Sequence, residues 1–122
     1  TIIGLDDNRD SAALEEELTK LKPPFADFIL LLTHRPIAVE TLSRLGIHLT
    51  LAGHTHAGQL FPFNFIVAAA HRYFNGLYED NGCYLYVTNG TGTWGPRMRL
   101  GTRSEITLVE ISRTNAAGAV NP

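Results

Sequence analysis

The run Ile47-His48-Leu49-Thr50-Leu51-Ala52-Gly53-His54-Thr55-His56-Ala57-Gly58-Gln59 decides how the rest of the chain is read. Its first half, Ile47 to Ala52, is an apolar stretch of strand length. Its second half is a turn carrying two imidazoles one residue apart, just where the strand should end. Residues i and i+2 of an extended chain share a face, so His54 and His56 can reach neighbouring positions. Gly53 and Gly58 let the backbone close tightly around a small ion. Neutral imidazole is a strong ligand for Zn, Mn or Fe, and the pattern reads as a metal site at a strand end. The plain alternative is a solvated loop with helpful glycines.

Upstream, Phe25 to Leu32 is apolar apart from Asp27. Such a run predicts a strand buried on both faces, in a parallel sheet with helices on each side. It ends at Thr33-His34-Arg35-Pro36, and a helix over about 37–45 follows with Val39, Leu42 and Leu45 on one side and Gly46 as its cap. Thr1 to Leu5 reads as a short strand and Asp6-Asp7-Asn8 as a turn. Asp10 or Ser11 is a helix cap, and Leu14, Leu18 and Leu21 mark an amphipathic helix that Pro23-Pro24 ends. The order β-α-β-α-β defines an α/β fold. His34 also follows an apolar strand, 20 positions before His54 (54 − 34 = 20). One strand-helix-strand crossover of that length returns the chain to the same sheet edge, where ligands of open α/β sheets bind. Three imidazoles, His34, His54 and His56, are therefore expected to converge.

Downstream, residues 60–65 mix aromatics with Pro62, and residues 66–73 read equally as a short helix or an extended lid. Asn81-Gly82 is a hairpin turn between Gly76-Leu77-Tyr78 and Tyr84-Leu85-Tyr86-Val87. A glycine-rich stretch, 89–101, carries Trp94, Arg97 and Arg99. A last strand, Glu105 to Ile111, is expected to pair antiparallel with the hairpin. Residues 1–112 are assigned to one domain and 113–122 to a disordered tail.

At 122 residues, 44% hydrophobic and 18% charged, the chain is long enough to bury a core. A net charge of −2 and a pI near 6.2 argue against a general nucleic-acid-binding face. The single Cys83 excludes an internal disulfide and a cysteine zinc cage, and its strand setting suggests a buried thiol. No apolar run approaches the roughly 18 residues that span a membrane, so the stretch itself is expected to be soluble. Thr1-Ile2-Ile3-Gly4-Leu5 reads as mid-strand without an initiator methionine, and the chain is expected to be a piece of a longer protein.

Leu31-Leu32-Thr33-His34-Arg35-Pro36, Leu51 to Gln59, Gly76-Leu77-Tyr78, Gly92-Thr93-Trp94-Gly95-Pro96 and Glu105-Ile106-Thr107-Leu108 together resemble the C-terminal half of a calcineurin-like metallophosphoesterase. The resemblance is to the bacterial subgroup that often carries an N-terminal membrane segment, and it covers most of 29–111. It implies half of an αββα sandwich and hydrolysis of a phosphoester by a hydroxide held between two divalent ions (Mn, Fe, Zn or similar). His34 and His54 would bind one ion and His56 the other. The family's remaining ligands, its bridging carboxylate and its general acid lie upstream of Thr1, so no catalytic residue is assigned. Asp6 and Asp7 follow a strand, but a turn and helix cap is the reading preferred for them.

The chain alone is accordingly expected to hold at most one ion, weakly, and to be inactive until the missing N-terminal half is restored. A non-catalytic metal-binding or interaction module retaining only the histidine ligands is the alternative. The open sheet edge should permit self-association, and the parent would be bacterial, cytoplasmic or membrane-anchored. Arg97 and Arg99, with Arg103, are candidates for gripping substrate phosphate. Trp94 is a candidate lid or stacking surface, although packing is the commoner role beside Gly and Pro. His71 with Arg72 is a further phosphate candidate, and His48 reads as a half-buried strand residue. Phe61, Phe63 and Phe65 could touch lipid, covering the sheet being their commoner fate.

Overall fold

The computed structural model describes residues 1–7, 11–21, 23 and 26–112. The proposed cap at Asp10, the turn residue Asn8 and the tail 113–122 lie outside them. In chain order the elements are β1 (Ile2–Gly4), α1 (Ser11–Leu21), β2 (Leu30–Leu32), α2 (Val39–Arg44), β3 (Leu49–Ala52), a 3-10 turn (His56–Gly58), α3 (Phe63–Ala70), β4 (Gly76–Asp80) and β5 (Cys83–Val87). The strands form one sheet in the order β1-β2-β3-β5-β4. Four run parallel, and β4 joins antiparallel at the edge. The α/β class and the β-α-β-α-β order follow the pattern of apolar runs. Of the undecided stretch 66–73, residues 66–70 belong to α3 and 71–73 are not helical, and Asn81 and Gly82 turn the hairpin with φ of 49° and 77°, both left-handed as a primed turn requires.

Leu14 and Leu18 of α1 and Ile37, Val39 and Leu42 around α2 pack on Leu31, Ala52, Cys83, Leu85 and Val87. The Glu15 carboxylate ties the two helices, accepting from the Ala38 N–H at 3.2 Å and the Thr41 hydroxyl at 3.2 Å. Both helices therefore lie on one face, and the expected cover on each side is not what the described residues form. The cause is topological: crossovers of one hand that advance through β1, β2 and β3 in a single direction place every helix on the same side. On the opposite face the register aligns Ile2, Leu30, Leu49 and Tyr84 in one row and Leu32, Leu51, Tyr86 and Leu77 in the next. Leu31 is fully buried, whereas its neighbour Leu32 is 41% exposed.

The expected last strand at 105–111 is also corrected. Residues 105–111 form no strand: β5 is flanked by β3 and β4, and although the outer edge of β4 is open among the described residues, the segment is tied elsewhere and does not pair with it. The segment instead hangs from the Glu105 N–H, which donates to the Gly90 carbonyl at 3.0 Å. The Glu105 carboxylate accepts from the Tyr86 hydroxyl and from the Thr107 hydroxyl. Those bonds hold Glu105 below the usual carboxylate range, Tyr86 contributing most. Ile106 and Leu108 are almost fully exposed.

Candidate metal centre

His34 and His54 follow neighbouring parallel strands, and the ladder continues past both strand ends to fix them. Thr33 N–H donates to Leu51 O at 3.2 Å and Gly53 N–H to His34 O at 3.0 Å. His54 Nδ1 then lies 3.2 Å from His34 Nε2, with the rings edge to face at 5.1 Å. Two nitrogen ligands each about 2.1 Å from one tetrahedral ion are separated by about 3.4 Å, so the pair is spaced as ligands of a common ion would be. Arg35 Nη1 sits 3.3 Å from His54 Nε2, and its Nε donates to Asp7 Oδ1 at 2.9 Å. A guanidinium only donates. His54 Nε2 is then the acceptor and Nδ1 carries the proton toward His34, so an ion shared by the pair would have to displace that proton. Burial, then Arg35, depresses the His54 pKa below its ordinary 6.5, which favours the neutral form that ligation needs.

His56 is held by different means. In the six residues from His54 to Gln59, only Thr55 lies outside the left-handed region: φ is 74° at His54, 51° at His56, 50° at Ala57, 71° at Gly58 and 53° at Gln59. Such angles cost about 1 kcal/mol or more at each residue other than glycine and persist only where surroundings over-determine them. Gln59 is one constraint. Buried, it donates from Nε2 to the carbonyls of Trp94 at 2.7 Å and Pro96 at 3.0 Å, and accepts the Trp94 N–H at 2.5 Å. Gly58 is another, since a Cβ there would lie 2.3 Å from Asn64 Cα. The third is Arg99, whose Nη atoms reach the carbonyls of His56 at 3.1 Å, Asn89 at 2.7 Å and Gly92 at 2.7 Å, with Nη2 3.4 Å from His56 Nδ1. Burial, then the Arg99 charge, lowers the His56 pKa.

Of the residues singled out from sequence, His34, His54, His56, His71 and Trp94 line one cavity of about 430 Å³. The His71 ring stands 5.9 Å from that of His54. Among the described residues, no group of three or more His, Cys, Asp or Glu side chains is arranged to enclose an ion. The histidines supply a pair with ligand spacing and a third in the same cavity. Arg99 is not a phosphate grip, because its fork is spent on backbone carbonyls. Trp94 does not pack; it is 68% exposed at the cavity mouth. Arg97 and Arg103 are exposed. His48 is half-buried before β3, its Nδ1 accepting the Ile29 N–H at 3.1 Å. A larger cavity of about 530 Å³ opens at the other end of the sheet, where its titratable lining is Asp27, His48 and Cys83, whose thiol burial raises to about 11.

Sequence reading missed Gln59 and Arg99 as organisers of the turn, and it assigned Asp7 to a turn when its carboxylate anchors Arg35 against His54. The Arg35-Asp7 contact joins positions 28 apart and the Arg99-His56 contact positions 43 apart, and neither leaves a periodic trace.

Three relatives bear on the family. The chain is 41% identical over 90 residues to a protein of Helicobacter pylori named as an uncharacterized metallophosphoesterase, covering 72% of this chain and 24% of the relative. It is 44% identical over 81 residues to a bovine transmembrane protein with metallophosphoesterase domain, covering 64% of this chain and 18% of the relative. To a Bacillus subtilis protein named as an uncharacterized metallophosphoesterase it is 33% identical over 92 residues, 72% of this chain and 32% of the relative. The chain thus spans about a third or less of the length of each. No family model matches it. No solved structure matches it either.

Proposed function

Because the chain belongs with the metallophosphoesterases of bacteria and animals, we propose that it is the carboxyl-terminal part of a divalent-metal-dependent phosphoester hydrolase and supplies the histidine side of a two-metal site. The observation that carries this reading is the 3.2 Å approach of His54 Nδ1 to His34 Nε2 at the carboxyl ends of adjacent parallel strands. His34 and His54 would hold one ion and His56 a second. Bound ions would supply Lewis acidity to the phosphoryl oxygens. The chain's own part is to keep these imidazoles neutral, aimed and partly shielded from water. Asp7 and Arg35 orient His54; Arg99 and Gln59 set His56 and the Trp94 loop. His71 and Trp94, which line the cavity, would meet substrate, with Arg97 in the neighbouring loop as a further phosphate contact.

Imidazoles alone do not neutralise a divalent pair, and hard anionic ligands are required besides. On this reading they come from the rest of a longer protein, which would cover the open sheet face; without it, a second copy would pair there. No helix among the described residues is long and apolar enough to cross a membrane, and we propose, from the bovine relative's name, that the longer protein is held at one.

Titration with Mn²⁺ should give weak binding of one ion by this chain, reduced about tenfold or more in His54→Ala. With a chromogenic phosphodiester and Mn²⁺ the chain alone should be inactive, and the longer protein active and silenced by His54→Ala. Turnover by the 122 residues alone overturns the half-site reading. A longer protein that binds metal without turnover would leave a non-catalytic metal-binding module.

A further inference from the structure

None of the eight residues of α3 is buried. Phe63, Phe65 and Ile66 are 46%, 63% and 63% exposed, and Phe61 just before the helix is 55% exposed. Seven of its eight residues are apolar, and a helix so apolar is ordinarily enclosed. The patch is continuous with the glycine-rich loop. The rings of Phe61 and Phe65 stack edge to face at 5.8 Å, Phe61 N–H donates to Leu100 O at 2.8 Å, and Phe63 and Trp94 line the same cavity. Trp94 and Met98, 68% and 54% exposed, extend it.

The acidic groups nearest this patch are engaged: Glu40 pairs with Arg72 just past α3, and Glu105, just past the loop, accepts from the Tyr86 hydroxyl. Residues 41–78 and 81–104, which contain α3 and the loop, hold no aspartate or glutamate. Arg97 and Arg103 lie exposed in the loop that carries Trp94 and Met98, and among the described residues no side-chain hydrogen bond or ion pair engages either. A two-fold contact between copies through this face would set those arginines against one another. An anionic bilayer offers the complement: hydrocarbon for the aromatics and phosphate for the arginines. At about 1.5 Å per residue α3 is about 12 Å long, too short to span a bilayer and suited to lying in its interface.

We propose that α3 and the 94–103 loop form a docking surface for an anionic lipid bilayer, around the mouth of the imidazole cavity. This concerns the surface alone and holds whether or not the cavity hydrolyses a phosphoester. The test uses the longer protein for flotation and the 122 residues for fluorescence, both in EDTA, with vesicles of phosphatidylcholine alone or mixed with phosphatidylglycerol; failure of the longer protein to float with the mixed vesicles overturns the proposal. Trp94 is the single tryptophan, so its emission reports the contact directly in the unaltered chain. The mixed vesicles should shift it to the blue and carry the longer protein in flotation; pure phosphatidylcholine should do so more weakly. Phe65→Asp with Ile66→Asp should lower partition about tenfold or more, and Arg97→Glu with Arg103→Glu should remove the preference for the anionic lipid. Circular dichroism and melting should be unchanged, since all four side chains are exposed. The proposal is overturned by unshifted Trp94 emission on the mixed vesicles or by equal partition of the Phe65/Ile66 variant. It is equally overturned if light scattering gives a dimer that this variant dissolves while vesicles bind nothing.

Discussion

The two sides of the imidazole cavity are built by different means. His34 and His54 are placed by a parallel ladder that runs on past the strand ends, with main-chain bonds from Thr33 to Leu51 and from Gly53 to His34. His56 is placed by side chains that bind backbone: Gln59 on the 94–96 segment and Arg99 on the carbonyls of 56, 89, 90 and 92. The first side inherits the stability of the core beneath it. The second depends on a few buried polar contacts, each costly to break because a desolvated partner is left behind.

That difference can be broken deliberately. The largest effect is expected from Gly58→Ala, where a methyl would meet Asn64 Cα at 2.3 Å on a backbone with φ of 71°. We expect a loss of about 4 kcal/mol in urea unfolding, with displacement of α3; a change near zero would show that the turn is not wedged there. Arg99→Met comes next, at about 3 kcal/mol, since several half-buried carbonyls lose their donor together. Protease cleavage should then rise within 89–103 and the His56 ring resonances should move, while those of His34 stay. Equal movement of both rings would erase the contrast. The smallest effect concerns pH. His54 and His56 are both depressed from 6.5, chiefly by burial, so their imidazole resonances should titrate below that value. Their contribution to stability is therefore complete above pH 6.5, where both states are neutral, and is lost as the unfolded chain takes up protons below it. Midpoints at or above 6.5 would contradict the burial of the cavity wall.

The same division separates what could be read from the sequence and what could not. Strands β2 and β3 were visible because their apolar runs stop at histidines, and the position of His34 relative to His54 follows from one crossover. The hairpin was visible because Asn81-Gly82 tolerates left-handed angles. Glu105 to Ile111 has strand-like alternation too, yet alternation records only which side chains could share a face. It cannot tell where the chain is tethered: Glu105 is held at Gly90 and Tyr86, and the segment leaves the open edge of β4 unpaired. The side on which helices lie is likewise set by the order in which strands are added, which hydrophobic periodicity does not encode. Gln59 and Arg99 escaped because a side chain that binds carbonyls 35 to 43 positions away makes no demand on its sequence neighbours.

Gly58 also has a mechanical meaning. With no side chain between it and Asn64, the turn that carries His56 and the first turn of α3 touch backbone to backbone, with nothing compressible in the joint. Helix and turn therefore form a single rigid lever. A load applied to the exposed flank of α3 is transmitted to the imidazole of His56 as a displacement, because no intervening rotamer is available to absorb it.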